Sequence, residues 1–197
     1  MEITDSYLKA EEDVIRRCDV YAWRSGSKER YALVKGFASA FKQVLSVGSA
    51  SYEPIYCRCS HALDISPITG QLLMGKGYNG QFIAGDCCAL PFPDQSFECG
   101  LLCEVIEHLP TFSDVAAAVN ELDRVCRSWL ITTPFTPSPE PDHKRLLTFK
   151  DCAELVAGKR ANIMHHLGFW CMWKSERDIS FPFFSGPAGV QDGGVNV

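Results

Sequence analysis

Residues 82–110, FIAGDCCALPFPDQSFECGLLCEVIEHLP, contain two short apolar runs, and each run ends in a carboxylate. The first run, residues 82–84, is closed by a glycine and followed by Asp86, which predicts a buried strand with an acid at its tip. The second run, residues 97–103, predicts the next strand, with Glu104 at its tip. Because parallel strands present side chains to ligands at their carboxyl ends, both acids are expected to face one crevice.

Strand and helix patterns alternate along most of the chain. Residues 44–47, 61–64 and 129–133 predict three more strands, and a weaker signal at 162–167 suggests another. Residues 169–173 are strongly apolar. Helices are predicted at 4–20, 28–43, 66–74 and 111–127, and from about residue 148 onward. This alternation predicts an α/β fold, with a Rossmann-like, doubly wound and mostly parallel sheet in an α/β/α sandwich.

The composition fits one globular domain with a substantial core, since 46% of the 197 residues are hydrophobic and 22% are charged. Residues 1–43 are expected to form a helical extension that serves as a lid, residues 44–185 the sheet-bearing domain, and residues 186–197 a flexible tail. The N-terminus has no signal-peptide core and no run of 18 apolar residues occurs, so a cytoplasmic protein without membrane insertion is expected.

The net charge and the positions of the cysteines argue against a nucleic-acid-binding protein, a disulfide-stabilised protein and a zinc protein. A net charge of -5 disfavours nucleic acid as a partner, because affinity for phosphate backbones depends on Lys and Arg. The ten cysteines lie mostly inside apolar segments, which favours reduced core thiols over a disulfide framework. Cys57-Arg-Cys59 and Cys87-Cys88 lack the spacing of structural zinc sites, so no metal site is predicted.

Asp64, at the tip of the second strand, is a candidate to bind the two hydroxyl groups of a ribose. An ionised carboxylate can accept two hydrogen bonds at once, and the strand tips of such a sheet are where ligands bind. Gly48, at the tip of the first strand, would let a ligand approach the backbone because it has no Cβ. A glycine that merely ends the strand is the alternative.

Several stretches agree in order with one enzyme family. GDCCALPFPDQSFECGLLCEVIEHLP (85–110), with VLSVGSA (44–50), ALDISP (62–67) and LITTPF (130–135), resembles the class I S-adenosylmethionine-dependent methyltransferases, in the branch called methyltransferase type 11. The resemblance covers about residues 40–157, and LPFPDQSF and EVIEHL are its most specific parts. It implies the class I methyltransferase fold, S-adenosyl-L-methionine as cofactor and methyl transfer as activity.

The resemblance also implies roles at the strand tips. Gly48 would lie against the methionine moiety, Asp64 would bind the ribose, Asp86 and the Cys87 amide would meet the adenine, and Glu104 would line the pocket. The expected cofactor-binding residues are Gly48, Ser49, Asp64, Ile65, Asp86, Cys87 and Glu104.

The first motif departs from the family's pattern. Where the family commonly has an acid and three glycines, this chain has Ser46 and keeps only Gly48, and Ala50 adds a methyl group where the backbone should approach the ligand. The helix between Gly48 and Asp64 must be short, and Pro54 is expected to break it further. A degenerate methyltransferase fold that acts as a binding or scaffold subunit is therefore the alternative function.

Two histidines are candidates for a catalytic base. Methyl transfer needs positioning and exclusion of water, and it needs a base only where the attacking atom must lose a proton. His143 lies in the loop after the fifth strand and His108 in EVIEHLP, with a solvated loop residue and a capping or packing residue as the alternatives. Glu104 and Glu107, expected on one helical turn, could form a catalytic acid pair, although pocket lining explains Glu104 more simply.

The methyl acceptor is expected to be a small molecule such as a sugar, a lipid, a quinone-like compound or a secondary metabolite. A nicotinamide dehydrogenase is disfavoured because Gly48 lacks the partner glycines of G-x-G-x-x-G. The C-terminal aromatic residues have three possible roles: packing in the core, forming a hydrophobic wall of the substrate site, or forming a surface for a homodimer or a partner chain. These residues are Phe169, Trp170, Trp173, Phe181, Phe183 and Phe184.

Overall fold

A computed structural model describes residues 27–49, 52–137, 143–166 and 168–179 of the protein. The predictions of a helix at 4–20 and a tail at 186–197, together with Phe181, Phe183 and Phe184, fall outside these residues.

Strands and helices alternate over most of the described residues. The strands are β1 (Val44–Val47), β2 (His61–Asp64), β3 (Gln81–Ala84), β4 (Phe97–Cys103), β5 (Cys126–Pro134), β6 (Asn162–His166) and β7 (Phe169–Lys174). The helices are α1 (Ser27–Ala38), α2 (Glu53–Tyr56), α3 (Pro67–Gly75), α4 (Phe112–Val125) and α5 (Phe149–Val156), and a 3₁₀ turn spans Ile106–His108. The predicted order of strands and helices is confirmed from α1 to β6, and the strongly apolar residues 169–173 form an additional strand, β7.

The strands form one sheet in the order β3-β2-β1-β4-β5-β7-β6. Pairing is parallel from β3 through β5, while β7 is antiparallel to both β5 and β6. The direction of strand addition reverses between β1 and β4, and the carboxyl ends of strands at such a switch point border a ligand crevice. The predicted α/β, mostly parallel architecture is confirmed.

The position of β3 corrects the prediction of a buried strand at 82–84. β3 is the edge of the sheet and pairs only with β2, so Gln81 and Ala84 are exposed and Phe82 is only half-buried. Phe82 packs instead against α3, where a Cβ on Gly70 would lie 2.3 Å from its ring. Close approach of α3 to the edge strand therefore depends on Gly70.

Helices cover both faces of the sheet. On one face α1 packs Leu33, Val34 and Phe37 against inward residues of β1 and β4. On the other face α4 and α5 pack against Leu45 and Leu102. Successive residues of a strand point to opposite faces, so neighbouring residues of β1 and β4 enter different clusters. The central strands are thereby buried on both sides.

The hydrogen bonds observed at the helix ends agree in part with those that the sequence predicts. Thr111 and Thr148 each begin a helix with a reciprocal capping box, as Ser/Thr followed three residues later by an acid predicts. The Ser66 side chain makes no such cap on α3. Pro54 does not break α2 but lies in its first turn, where the missing N–H costs nothing.

The nine cysteines within the described residues are free thiols. Burial raises the pKa of Cys59, Cys99, Cys103, Cys126 and Cys171, so each stays protonated at neutral pH. The interpretation as core thiols holds for these buried residues.

Over the residues that the structure covers, none of the helices has both the length and the apolar character that a membrane span requires.

Packing of α4 on β4 predicts that Gly100→Ala destabilises the protein. A Cβ at Gly100 would lie 2.6 Å from both Cys126 Sγ and Leu122 Cδ1, which belong to closely packed core residues. We expect a loss of about 1–3 kcal/mol in the free energy of unfolding, measured by urea denaturation. Gly75→Ala is the matched control, because nothing lies within 4 Å of its added methyl group, and it should leave stability unchanged or raise it by up to about 1 kcal/mol. Equal effects of the two substitutions would contradict this packing.

Candidate functional site

The loop after β1 is held tightly against its neighbours at the carboxyl edge of the sheet. Gly48 adopts a φ of +70°, and the N–H groups of Gly48 and Ser49 both donate to the Leu63 carbonyl oxygen, at 2.9 and 3.2 Å. A Cβ at Gly48 would lie 2.4 Å from Val105 Cγ2. Ser49 is fully buried, and its hydroxyl donates to the Ser46 carbonyl oxygen. Position 48 therefore requires a glycine, because Val105 from the segment after β4 leaves no room for a side chain.

Asp64 ends β2 beside this loop. Its side chain is buried, and its Oδ1 accepts a hydrogen bond from the Ser66 N–H at 3.0 Å. The Ser66 hydroxyl oxygen is buried with no hydrogen-bond partner among the described residues. Ile65 is half-buried between them. The tip of β2 therefore offers a carboxylate, an unpartnered hydroxyl and a partly open apolar side chain.

Asp86 follows β3 and lies next along the same edge. The Gly85 N–H donates to the Asp64 carbonyl oxygen at 2.8 Å, which ties the two strand tips together. Asp86 is exposed, and its Oδ1 accepts from the Cys88 N–H at 2.8 Å. Cys87 is half-buried, with its sulfur 4.0 Å from that of Cys88. Asp64 and Asp86 thus share an edge but differ in solvent exposure.

Glu104 occupies a constrained position directly after β4. Its φ is +54°, a left-handed conformation that is uncommon for residues other than glycine. Its N–H donates to the Thr132 carbonyl oxygen, and its Oε1 accepts from the Thr132 hydroxyl, both at 2.9 Å. β5 therefore holds both the backbone and the carboxylate of Glu104.

Glu107 is buried in the 3₁₀ turn and does not share a helical turn with Glu104, contrary to the expectation of an acid pair on one helix. Its Oε2 accepts from the Thr133 hydroxyl at 3.2 Å, while its Oε1 has no hydrogen-bond partner among the described residues. Burial, followed by the nearby charge of Glu104, raises the pKa of Glu107 well above its ordinary value. Two neighbouring threonines of β5 thus hold two acids in different environments.

The two candidate bases lie together. The His108 and His143 rings are perpendicular, with 4.8 Å between their centroids. The N–H groups of Lys144 and Arg145 both donate to the Glu107 carbonyl oxygen, at 2.8 and 3.2 Å, and so fix the loop after β5 to the turn after β4. The folded chain therefore brings together two histidines that the sequence indicates as separate candidates for a base.

A buried ion pair that is not predicted from the sequence also lies near this edge. Arg30 of α1 donates to Glu53 Oε1 of α2 at 2.6 Å, and both residues are buried. Burial opposes the charge of Arg30, but Glu53 and Glu104 outweigh that effect and raise the pKa of Arg30 well above its ordinary value. Arg30 shares the helical spacing of Val34 and Phe37, so a charge on the apolar face of α1 was the available signal.

Other predicted residues lie elsewhere. His165 and His166 lie on β6, an edge strand, and contact Phe135 and Phe169 respectively. Phe169 belongs to the core, as the packing interpretation predicts. The proposed partner surface at Phe181, Phe183 and Phe184 and most of the proposed lid lie outside the described residues.

Residues 47–129 match a family model described as a methyltransferase domain. No curated protein sequence matches the chain significantly.

Solved structures resemble the chain in fold. The YcgJ protein from Bacillus subtilis shares 20% identity over 68% of each chain, with a TM-score of 0.54. Magnesium protoporphyrin IX methyltransferase from Synechocystis PCC 6803, solved with bound S-adenosylmethionine, shares 13% identity over 88% of this chain and 95% of its own, with a TM-score of 0.63. A complex of the Haloferax volcanii Trm112 methyltransferase activator with a putative methyltransferase gives 11% identity over 87% and 96%, with a TM-score of 0.64.

At these identities the structural likeness shows the fold, and the sequence match over residues 47–129 adds the kind of domain. The strand order, with an antiparallel β7 between β5 and β6, agrees with both. The chain therefore has the fold of class I methyltransferases, and its residues 47–129 match a methyltransferase domain.

Proposed function

We propose that this protein transfers a methyl group from S-adenosylmethionine to a small-molecule acceptor. The observation that carries the proposal is the buried Asp64 at the tip of β2, next to the backbone of Gly48 at the tip of β1. These tips border the switch point of the sheet, where doubly wound folds bind nucleotides. The methyltransferase domain match supports the same conclusion.

The donor set along β2 and β3 fits an adenosine group. The Asp64 carboxylate suits the ribose hydroxyls, and the buried, unpartnered Ser66 hydroxyl beside it supplies a further polar contact. Ile65 offers apolar surface for the base, while Asp86 and the Cys87 amide, one strand further along the edge, suit its polar rim. The chemistry of these groups therefore matches both parts of an adenosine.

We assign the methionine half to residues near β1 and β4. Ser46 replaces the acid that the family commonly carries, but Glu53 places a buried carboxylate in the same connection between β1 and β2. Glu53 would attract the ammonium group of the cofactor, and its partner Arg30 would attract the carboxylate. Gly48, Ser49 and Glu104 would line the space between them. The buried Arg30–Glu53 pair supports this proposal over the degenerate-fold alternative, because it supplies charged groups near the reduced first motif.

The cofactor supplies a methyl group on a positively charged sulfur. The role of the protein is to hold the acceptor in line with that methyl group and to exclude water. His108 and His143, which lie together after β4 and β5, form the acceptor side of the site in this proposal. The acceptor atom would bond to the methyl carbon as the carbon–sulfur bond breaks, the electron pair of that bond would stay on sulfur, and the acceptor proton would pass to His108, His143 or solvent.

Asp64→Asn tests the adenosine assignment. Asparagine keeps an acceptor for the Ser66 N–H and so preserves the local fold, but it removes the charge that would face the ribose. We expect the affinity for S-adenosylhomocysteine, measured by isothermal titration calorimetry, to fall about 10- to 100-fold. Asp178→Asn, an exposed acid after β7, is the control and should bind like the wild type. Failure of the wild type to bind at millimolar ligand would favour the scaffold function instead.

Arg30→Lys tests the methionine assignment. Lysine retains the buried charge beside Glu53 but loses the planar guanidinium that pairs with carboxylates. We expect roughly 10-fold weaker binding of S-adenosylhomocysteine and unchanged binding of methylthioadenosine, which lacks the amino-acid end. Asp64→Asn should weaken both ligands, and thermal unfolding of each variant reports whether the fold is retained. If Arg30→Lys weakens both ligands equally in a folded protein, the assignment is wrong.

A further inference from the structure

We propose that Glu107, His108 and His143 form a binding site for a divalent transition-metal ion. One ligand atom from each side chain, a carboxylate oxygen and two ring nitrogens, lies within 4.8 Å of the other two. Metal–ligand bonds of about 2.0–2.2 Å place neighbouring ligand atoms about 3.3 Å apart, so small side-chain rotations would bring all three onto one ion. The site departs from the sequence-based expectation that no metal is bound.

The Glu107 carboxylate is an independent indication of a bound cation. The residue is 1% exposed, and the Thr133 hydroxyl donates to its Oε2 at 3.2 Å. Its Oε1 is buried without a hydrogen-bond partner among the residues described. A buried polar atom left without a partner costs about 1–3 kcal/mol, and more when it carries charge. A metal ion bound at Oε1 would remove that cost.

The backbone around the three ligands is held in place from two sides. The Glu107 carbonyl oxygen accepts from the N–H groups of the two residues that follow His143. The Arg145 guanidinium donates to the carbonyl oxygens of Leu109 and Pro110, at 3.3 and 2.7 Å. The loop that carries His143 is thereby fixed to the turn that carries His108. Sites held by such surrounding hydrogen bonds need little reorganisation to bind a metal.

The ligand types define the class of ion. Two imidazoles and one carboxylate suit Zn²⁺, Co²⁺, Fe²⁺ or Mn²⁺, whereas Ca²⁺ and Mg²⁺ prefer oxygen ligands throughout. Three protein ligands leave at least one position open for water or a substrate atom, as in catalytic metal sites. The Glu104 carboxylate, held nearby by Thr132, adds negative charge that favours a cation.

The role of the ion rests on the proposed function, although its binding does not. An acceptor hydroxyl bound at the open position would lose its proton more easily, because a metal ion lowers the pKa of a bound O–H group. The proton would leave to solvent, the oxygen would form the bond to the methyl carbon, and the electrons of the carbon–sulfur bond would remain on sulfur. His108 and His143 would then act as ligands, and the metal-bound oxygen would need no separate base.

Metal binding by the 197-residue chain tests the site without cofactor or acceptor. We expect one equivalent of Co²⁺ to bind with visible d–d absorption bands, and Zn²⁺ to displace it. His143→Ala, His108→Ala and Glu107→Gln should each weaken Co²⁺ binding at least about tenfold. His165→Ala is the matched control, because this exposed histidine of β6 contacts Phe135 and Trp170 outside the cluster.

The vicinal cysteines are the competing ligands to exclude. Asp86, Cys87 and Cys88 also cluster closely enough to hold a metal, so the double variant Cys87→Ser/Cys88→Ser should retain the Co²⁺ spectrum. Loss of binding in that variant, unchanged binding after His143→Ala and His108→Ala, or no bound Co²⁺, Zn²⁺ or Mn²⁺ at millimolar metal would each overturn the inference. Separate titration with S-adenosylhomocysteine distinguishes this failure from failure of the proposed function.

Discussion

The candidate site depends on the parallel pairing of β1 with β4, because this pairing joins the two halves of the sheet. Val47 pairs with both Leu63 of β2 and Leu102 of β4, so these three strands end at one level. Gly48 therefore meets Val105, at a distance that leaves no room for a side chain on Gly48. The other edge of β4 pairs with β5 in turn, which places Glu104 and Glu107 against Thr132 and Thr133, close to the end of β5.

Charged groups are buried on both sides of this junction. The Arg30–Glu53 pair links the helix before the sheet to the connection after β1, and Glu107 is enclosed after β4. Buried ion pairs contribute little net stability compared with apolar packing, because desolvation offsets their attraction. Their presence at the carboxyl edge therefore favours ligand binding over stabilisation as their role. In the proposed site, the Arg30–Glu53 pair would bind the charged end of the cofactor, and the region around Glu107 would bind the acceptor.

Local signals in the sequence are sufficient to predict most of the helices and strands. The bounds of β4, the capping threonines of α4 and α5 and the short α2 follow from apolar runs and turn residues whose effects extend over a few positions. The exposed edge position of β3 could not be predicted in the same way, because the order of strands depends on contacts between distant segments. A pattern of strong apolar residues at 82–84 does not reveal whether one or both sides of a strand are paired.

The same limit applies to the candidate site. Asp64 and Glu104 can be predicted as site residues because the end of a strand is a local feature of the sequence. Arg30 and Glu53 are 23 residues apart, and they come into contact only in the folded chain. The sequence indicates His108 and His143 only as separate candidates for a base, whereas in the folded chain their rings are in contact and lie close to Glu107. Contacts between residues that are far apart in the sequence depend on tertiary structure, which the spacing of the residues does not reveal.

A crystal structure of the chain with S-adenosylhomocysteine would show whether the β1–β4 junction holds the cofactor. We expect the ribose hydroxyls on the Asp64 carboxylate and the homocysteine carboxylate on the Arg30 guanidinium. A ligand bound elsewhere, or a junction closed by the Arg30–Glu53 pair in the presence of saturating ligand, would contradict this expectation.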